Sequence, residues 1–254
     1  MTGSIRTLVR DLARRRGRER RGLALAEGVR LVEEVLATRQ PLRAVLVAPA
    51  LEATPRGQAL KAALAAATPA LEPVADAELV ELAQTEHPQG VLAVIEPRAW
   101  RLDDIPAGRT ILVLDAVQDP GNVGTMLRSA LALGAGGVVA LPGTAELLNP
   151  KVLRAAMGAH FRLPALAADG PALLDWAAAR ALPVWGATMD GPPIDQVPHP
   201  RPAVALVVGN EGAGLSPGVQ ARLARRVTIP LAGGAESLNV GVAAAILLWE
   251  LRRG

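Results

Sequence analysis

The chain has 254 residues, half of them hydrophobic, with a formal net charge of +3 and no cysteine. That length allows one large domain or two ordinary ones with a sizeable core, and the missing thiols exclude disulfides and thiolate metal sites, which fits a reducing cytoplasm. Three scattered histidines form no metal-ligand cluster, no apolar run follows the early arginines to make a secretory signal, and the longest apolar run, residues 240–249, is too short to span a bilayer, so neither a metal nor a membrane is expected.

The charge is uneven. Residues 1–30 hold nine arginines and three acids, a surplus of +6 that leaves −3 for the remainder. An arginine-rich end on a near-neutral body points to an anionic polymer as partner, with Arg14, Arg15, Arg16, Arg18, Arg20 and Arg21 as candidate contacts. The competing reading is a solvated helix face in an arginine-rich composition, since Lys61 and Lys151 are the only lysines.

Ser4 can cap a first helix in which Ile5, Leu8, Val9 and Leu12 form one apolar stripe. Gly17 and Gly22 break the pattern. Strands at 23–26, 44–47, 72–75 and 90–95 then alternate with helices at 29–37, 58–67 and 77–84, which predicts a compact α/β unit. Residues 97–109 contain Pro97, Pro106 and Gly108, lack periodicity and read as a linker. An apolar strand at 111–117, interrupted only by Asp115, opens a second unit. Asp119, Pro120 and Gly121 make a turn, Asn122 can cap, and a helix runs to Gly134. A strand at 137–141, helices at 151–157 and 172–180 and a strand at 183–187 follow. His160 reads as a polar loop residue touching RNA or a partner; His87 and His199 sit beside prolines as turn residues, the latter in a proline-rich turn at 198–202.

Residues 205–249 organise the rest. A strand at 205–208 runs into a glycine loop at 209–214, and a short helix follows at 217–224. A strand at 227–230 opens into a second glycine loop at 231–237, before a long apolar helix that starts near Leu238. Open α/β sheets place ligands at such strand ends, and glycine there lets backbone N–H and C=O groups approach them. Ser237 and Asn239 flank the helix start, where such side chains cap free N–H groups. The glycine order after 205–208 is G-x-x-G-x-G rather than the dinucleotide order G-x-G-x-x-G, and a P-loop and a G-x-S-x-G serine are absent. A nucleotide-cofactor oxidoreductase is therefore disfavoured.

Three stretches carry a resemblance. Asn122-x-Gly124-x-x-x-Arg128, within LDAVQDPGNVGTMLRSA, resembles the first motif of the SpoU (TrmH) RNA 2′-O-methyltransferases of the SPOUT superfamily. Val208-Gly209-Asn210-Glu211-Gly212-x-Gly214 resembles the second motif. Ile229-Pro230-Leu231 followed by Ser237-Leu238-Asn239-Val240 resembles the third. The likeness covers residues 108–254; more loosely, residues 22–96, with AEGVRLVEEVL and HPQGVLAVIE, resemble the small L30e-like substrate-binding domain of ribosomal-RNA members.

The resemblance implies an α/β protein with a C-terminal parallel-sheet domain, threaded into a trefoil knot, and a smaller N-terminal α/β domain. The implied division is an RNA substrate-binding domain with a basic helix at 1–97, a linker at 98–109 and a methyltransferase domain at 110–254. S-adenosylmethionine would be held by backbone groups of Gly209, Ile229 and Leu238, with Thr188 lining the pocket. Arg128, Asn122, Glu211, Ser237 and Asn239 would form the catalytic set. The family works as a homodimer with its site at the subunit interface, so a homodimer is expected, and the missing cysteines make the cytoplasm the expected location. Arg128 cannot be a simple base, because guanidinium stays protonated; as a fixed cation it stabilises a developing alkoxide. The first unit favours 23S ribosomal RNA as substrate. Transfer RNA, or a non-catalytic ribosome-assembly role with a relic pocket, stay open as alternatives.

Overall fold

The computed structural model describes residues 4–67, 70–198, 202–233 and 236–253, so the expected turn residue His199 and part of the loop at 231–237 lie outside the described residues. The chain divides into two compact units: residues 1–98 with 148–161, and residues 99–147 with 162–254.

In the first unit, helix α1 (Ile5–Leu12) starts at Ser4, whose hydroxyl accepts the Arg6 N–H at 3.2 Å, and it buries Val9 and Leu12. Helix α2 (Arg15–Arg21) runs through Gly17, where the sequence suggested a break. A Cβ on Gly17 would lie 2.0 Å from the Asp11 carbonyl oxygen, so glycine is what lets α2 approach α1. Gly22, at φ +64°, does end the helix. There follow β1 (Ala24–Glu27), α3 (Val29–Ala37), β2 (Leu42–Val47), α4 (Pro55–Ala67), β3 (Leu71–Pro73), α5 (Asp76–Leu82) and β4 (Val91–Ile95). The sheet order is β1-β4-β2-β3, antiparallel except for the β2–β3 pair. Strand alternation divides the core. Ala24, Ala26, Val45, Val47, Val91, Ala93 and Ile95 cluster with residues of α3 and α4. Leu25, Ala44, Leu46, Leu92 and Val94 cluster with residues of α1 and α5.

The second unit opens with β5 (Ile111–Asp115), α6 (Pro120–Ala132) and β6 (Gly137–Ala140). The chain then departs from expectation. Residues 148–161, assigned from sequence to the second domain, belong to the first unit, where α7 (Pro150–Ala156) and most of α8 (Ala159–Arg162) lie. Leu153 and Phe161 are buried in the same core cluster as α3 and α4, and Arg154 donates to the buried Glu27 carboxylate at 3.3 Å. Back in the second unit come β7 (Ala165–Ala167), α9 (Gly170–Ala179), β8 (Val184–Ala187), β9 (Ala205–Gly209), α10 (Pro217–Gln220), β10 (Arg225–Val227) and α11 (Val240–Arg253). Strand β10 ends before the expected 228–230, and α10 stops short of the expected 224.

All six strands of this second sheet are parallel, in the order β10-β8-β9-β5-β6-β7. The central strands are buried on both faces, as helix-covered parallel sheets require. From β5 the chain fills one side with β6 and β7 and later returns to place β9 on the other. The carboxyl ends of β5 and β9 therefore flank a topological switch point, the standard ligand crevice of such sheets.

Candidate functional site

At the carboxyl ends of β8, β9 and β10 lies a cavity of 470 Å³, within the range of small-molecule sites. Gly209, Thr188, Ile229 and Leu238 all line it, together with Glu211 and Ser237. The four expected cofactor residues and two of the five expected catalytic residues are thus brought to one place by three separate loops.

Two more of the expected residues join through hydrogen bonds. The Asn239 amide donates to Asn122 Oδ1 at 2.9 Å, and the Asn122 amide donates to Glu211 Oε1 at 2.7 Å. Asn239 Oδ1 meanwhile accepts the Gly241 and Val242 N–H groups at 3.0 and 3.3 Å, so the residue also starts α11. Asn122 is not the cap of α6 that its position suggested. Asp119 is: its carboxylate accepts the Asn122 N–H at 2.8 Å. That leaves the Asn122 side chain free to link Asn239 to Glu211.

Arg128 stands apart. It is exposed on α6, six residues beyond Asn122, or roughly 9 Å along the helix axis. Among the described residues, those lining the cavity do not include Arg128.

Sequence reasoning missed one feature of the rim. Arg226, from β10, donates to Asp190 in the loop after β8 at 2.5 Å. The two lie 36 residues apart, and nothing in the local pattern links them. Among the described residues, the lining carries the carboxylates of Asp190, Glu211 and Glu236 against the single cation of Arg226.

His160 is corrected outright. It is a buried residue of α8, with Nδ1 lacking a hydrogen-bond partner among the described residues, and not a loop residue open to RNA or a partner. Burial pushes its imidazole down to about 4. Because the folded value lies below the ordinary 6.5, the neutral ring's contribution to stability is full above pH 6.5 and is lost as pH falls through 4. Denaturant titrations should therefore show stability declining across that window less steeply in His160→Leu than in the parent.

The arginines of the first thirty residues also sort themselves. Arg18 is removed from the candidate RNA contacts: it is 3% exposed, and its guanidinium donates to the Leu12 and Ala13 carbonyls at 2.8 and 3.0 Å. Arg15 pairs with Glu19, and Arg20 and Arg21 converge on Asp11. Hydrogen bonds from Arg21 and then Arg20 hold the Asp11 carboxyl below its usual range. Arg14 and Arg16 are exposed and have no side-chain partner among the described residues. Among those residues no group of three His, Cys, Asp or Glu could hold a metal, and no helix is long and apolar enough to cross a membrane.

Known proteins resemble this chain in sequence and fold. A 23S rRNA (guanosine(2553)-2′-O)-methyltransferase of Bacillus subtilis is 43% identical over 170 residues, covering 66% of this chain and 67% of the relative. A 23S rRNA (uridine(2479)-2′-O)-methyltransferase of Streptomyces viridochromogenes is 33% identical over 251 residues, covering 95% of this chain and 86% of its own. The crystal structure of an AdoMet-bound rRNA methyltransferase from Sinorhizobium meliloti superposes with a TM-score of 0.86 at 28% identity, covering 100% of this chain and 95% of that one. Residues 4–93 match the MRM3-like substrate binding domain. Residues 109–249, which contain the cavity and the hydrogen-bonded chain beside it, match the SpoU rRNA methylase family, and the chain belongs to that family.

Proposed function

We propose that this chain transfers a methyl group from S-adenosylmethionine to a ribose 2′-OH of 23S ribosomal RNA. The observation that carries the reading is the cavity at the ends of β8, β9 and β10, with the Asn239–Asn122–Glu211 chain beside it. The lining suits this cofactor. Val208, Ile229, Leu231, Leu238 and Leu247 offer apolar walls for a base, and three carboxylates against one arginine favour a molecule of net positive charge. When bound, S-adenosylmethionine supplies an electrophilic methyl group on a sulfonium.

This chain's own residues supply alignment and charge. Backbone groups of Gly209, Ile229 and Leu238 hold the cofactor, and Thr188 lines its pocket. Glu211, fixed by Asn122, and Ser237 orient the target nucleotide at the mouth; such alignment can account for about 7–11 kcal/mol of a barrier. Arg128 stabilises the developing alkoxide and clamps the adjacent phosphate. Water or that phosphate accepts the proton, since guanidinium cannot. Arg14, Arg15, Arg16, Arg20 and Arg21 bind RNA phosphates, and residues 1–97 form the substrate-binding part, which favours ribosomal over transfer RNA.

The chain acts as a homodimer in the cytoplasm. Val242, Ile246 and Trp249, at 48%, 39% and 51% exposure, fall on one face of α11. A second copy covers that face and brings its Arg128 to the cavity, which lacks an arginine of this kind from its own α6. Ile246→Glu should convert a dimer into a monomer by sedimentation and abolish methyl transfer; an active monomer would contradict the composite site.

The function is tested with radiolabelled S-adenosylmethionine and 23S rRNA in excess chelator. Label in 2′-O-methylated nucleosides is expected at a rate the chelator does not change. Label in a base, or activity that returns only with added metal, is the contrary result.

A further inference from the structure

The glycine loop after β9 is not free-standing. Asp115, at the end of β5, is 3% exposed, and its carboxylate accepts the Ser216 N–H at 2.6 Å. Asn210, in the loop itself, makes bonds in two directions. Its Oδ1 accepts the Gly212 and Ala213 N–H groups, both at 2.9 Å, and its Nδ2 donates to the Ala116 carbonyl at 3.0 Å. Asn210 and Gly214 also exchange backbone hydrogen bonds at 2.9 and 3.0 Å, closing the loop on itself.

Ala116 is one of the few non-glycine residues with positive φ among the described residues, at +57°, a conformation that is costly for an L residue and persists only where surroundings hold it. The surroundings are visible. Asn210 holds its carbonyl from one side. On the other, a Cβ on Gly143 would meet the Ala116 Cβ at 3.0 Å, Thr144 Oγ1 donates to the Leu114 carbonyl at 2.8 Å, and Ala145 N–H donates to the Val117 carbonyl at 2.8 Å. The turn that leads into α6, and so to Asn122, is locked to the loop that carries Gly209 and Glu211.

We infer that Asp115 and Asn210 are positioning residues: together they brace the loop at 209–216 against the turn after β5, which sets the cofactor-facing backbone of Gly209 and aims Glu211 at Asn122. Asp115 lies outside the three motif stretches, and Asn210, though part of the second, was given no role there. Asn210 lines the cavity, yet both polar ends of its side chain are already engaged by protein. Its work is therefore done through the loop. This rests on the reading of the cavity as the cofactor site.

Calorimetry with S-adenosylhomocysteine on the full chain tests it without needing turnover. Asn210→Asp keeps the size of the side chain and the acceptor for Gly212 and Ala213, but sets an oxygen against the Ala116 carbonyl. It should weaken binding by about tenfold or more, the cost of a lost hydrogen bond plus a buried mismatch. Asp115→Asn, which keeps an oxygen to accept the Ser216 N–H, should lose less affinity than Asp115→Ala. A folded Asn210→Asp variant that binds like the parent overturns the inference, as does one whose only change is a lower Tm, because a merely structural role would leave the Kd of the folded protein unmoved. Should the parent chain itself fail to bind S-adenosylhomocysteine, it is the cofactor reading that falls.

Discussion

Arg128→Ala should lower kcat for methyl transfer by about two to three orders of magnitude, the usual cost of removing one preorganised group that stabilises developing charge. The same variant should keep the parent's Kd for S-adenosylmethionine. The separation follows from placement. Arg128 is exposed on α6 with no partner among the described residues, and it lies outside the lining of the cavity where Gly209, Ile229 and Leu238 meet. Its proposed work falls on the ribose oxygen and the adjacent phosphate, so kcat and RNA binding rather than cofactor binding carry the loss. Arg128→Lys should recover only part of the rate, since an ammonium keeps the charge but not the planar fork that grips a phosphate. Single-turnover kinetics with saturating cofactor, alongside calorimetry, read both quantities. Near-parent turnover in Arg128→Ala would remove this residue from the mechanism.

Deleting residues 1–97 should leave a protein that aggregates rather than a working catalytic domain. A cut in the linker at 98–109 looks harmless in sequence, because the prolines and the missing periodicity mark a boundary. The structure changes the expectation, since residues 148–161 belong to the first unit. Val152, Leu153, Ala156, Ala159 and Phe161 are all at most 7% exposed, and Leu153 and Phe161 sit in the core cluster of that unit. Truncation strips this apolar face of its cover, and each large side chain so exposed forfeits roughly 1.5–3 kcal/mol, against a total stability of about 5–15 kcal/mol for a typical domain. Size-exclusion chromatography and circular dichroism of the truncated chain check this. A monodisperse, cofactor-binding 98–254 fragment would show that the second unit tolerates a bare α7.

What was legible in the sequence was whatever a short window encodes. The apolar stripe of α1, the Ser4 cap, the bounds of α3 and the alternation of strand and helix follow from local periodicity and capping chemistry. That Gly209, Ile229, Leu238 and Thr188 line one cavity was legible because they lie in strand-end loops. Long-range features were not legible. Gly17 reads as a helix breaker until Asp11 is seen to press on it. Arg18 reads like its neighbours until its guanidinium is found on the carbonyls that end α1. Leu153 and Phe161 look like any apolar residues, and only the tertiary fold says which core they join. The Asp115–Ser216 and Asn210–Ala116 bonds span 101 and 94 residues, separations that no local pattern reports.

The central claim is a composite site, with the cavity of one subunit served by Arg128 of the other. Co-expressing Arg128→Ala with Glu211→Ala chains tests it most directly. Each variant alone should be inactive. In a mixed dimer, the intact cavity of the Arg128→Ala chain faces the intact arginine of the Glu211→Ala chain, so methyl transfer to 23S rRNA should reappear. Mixed dimers that form but stay inactive would mean that Arg128 serves only its own chain, and the composite site would be wrong.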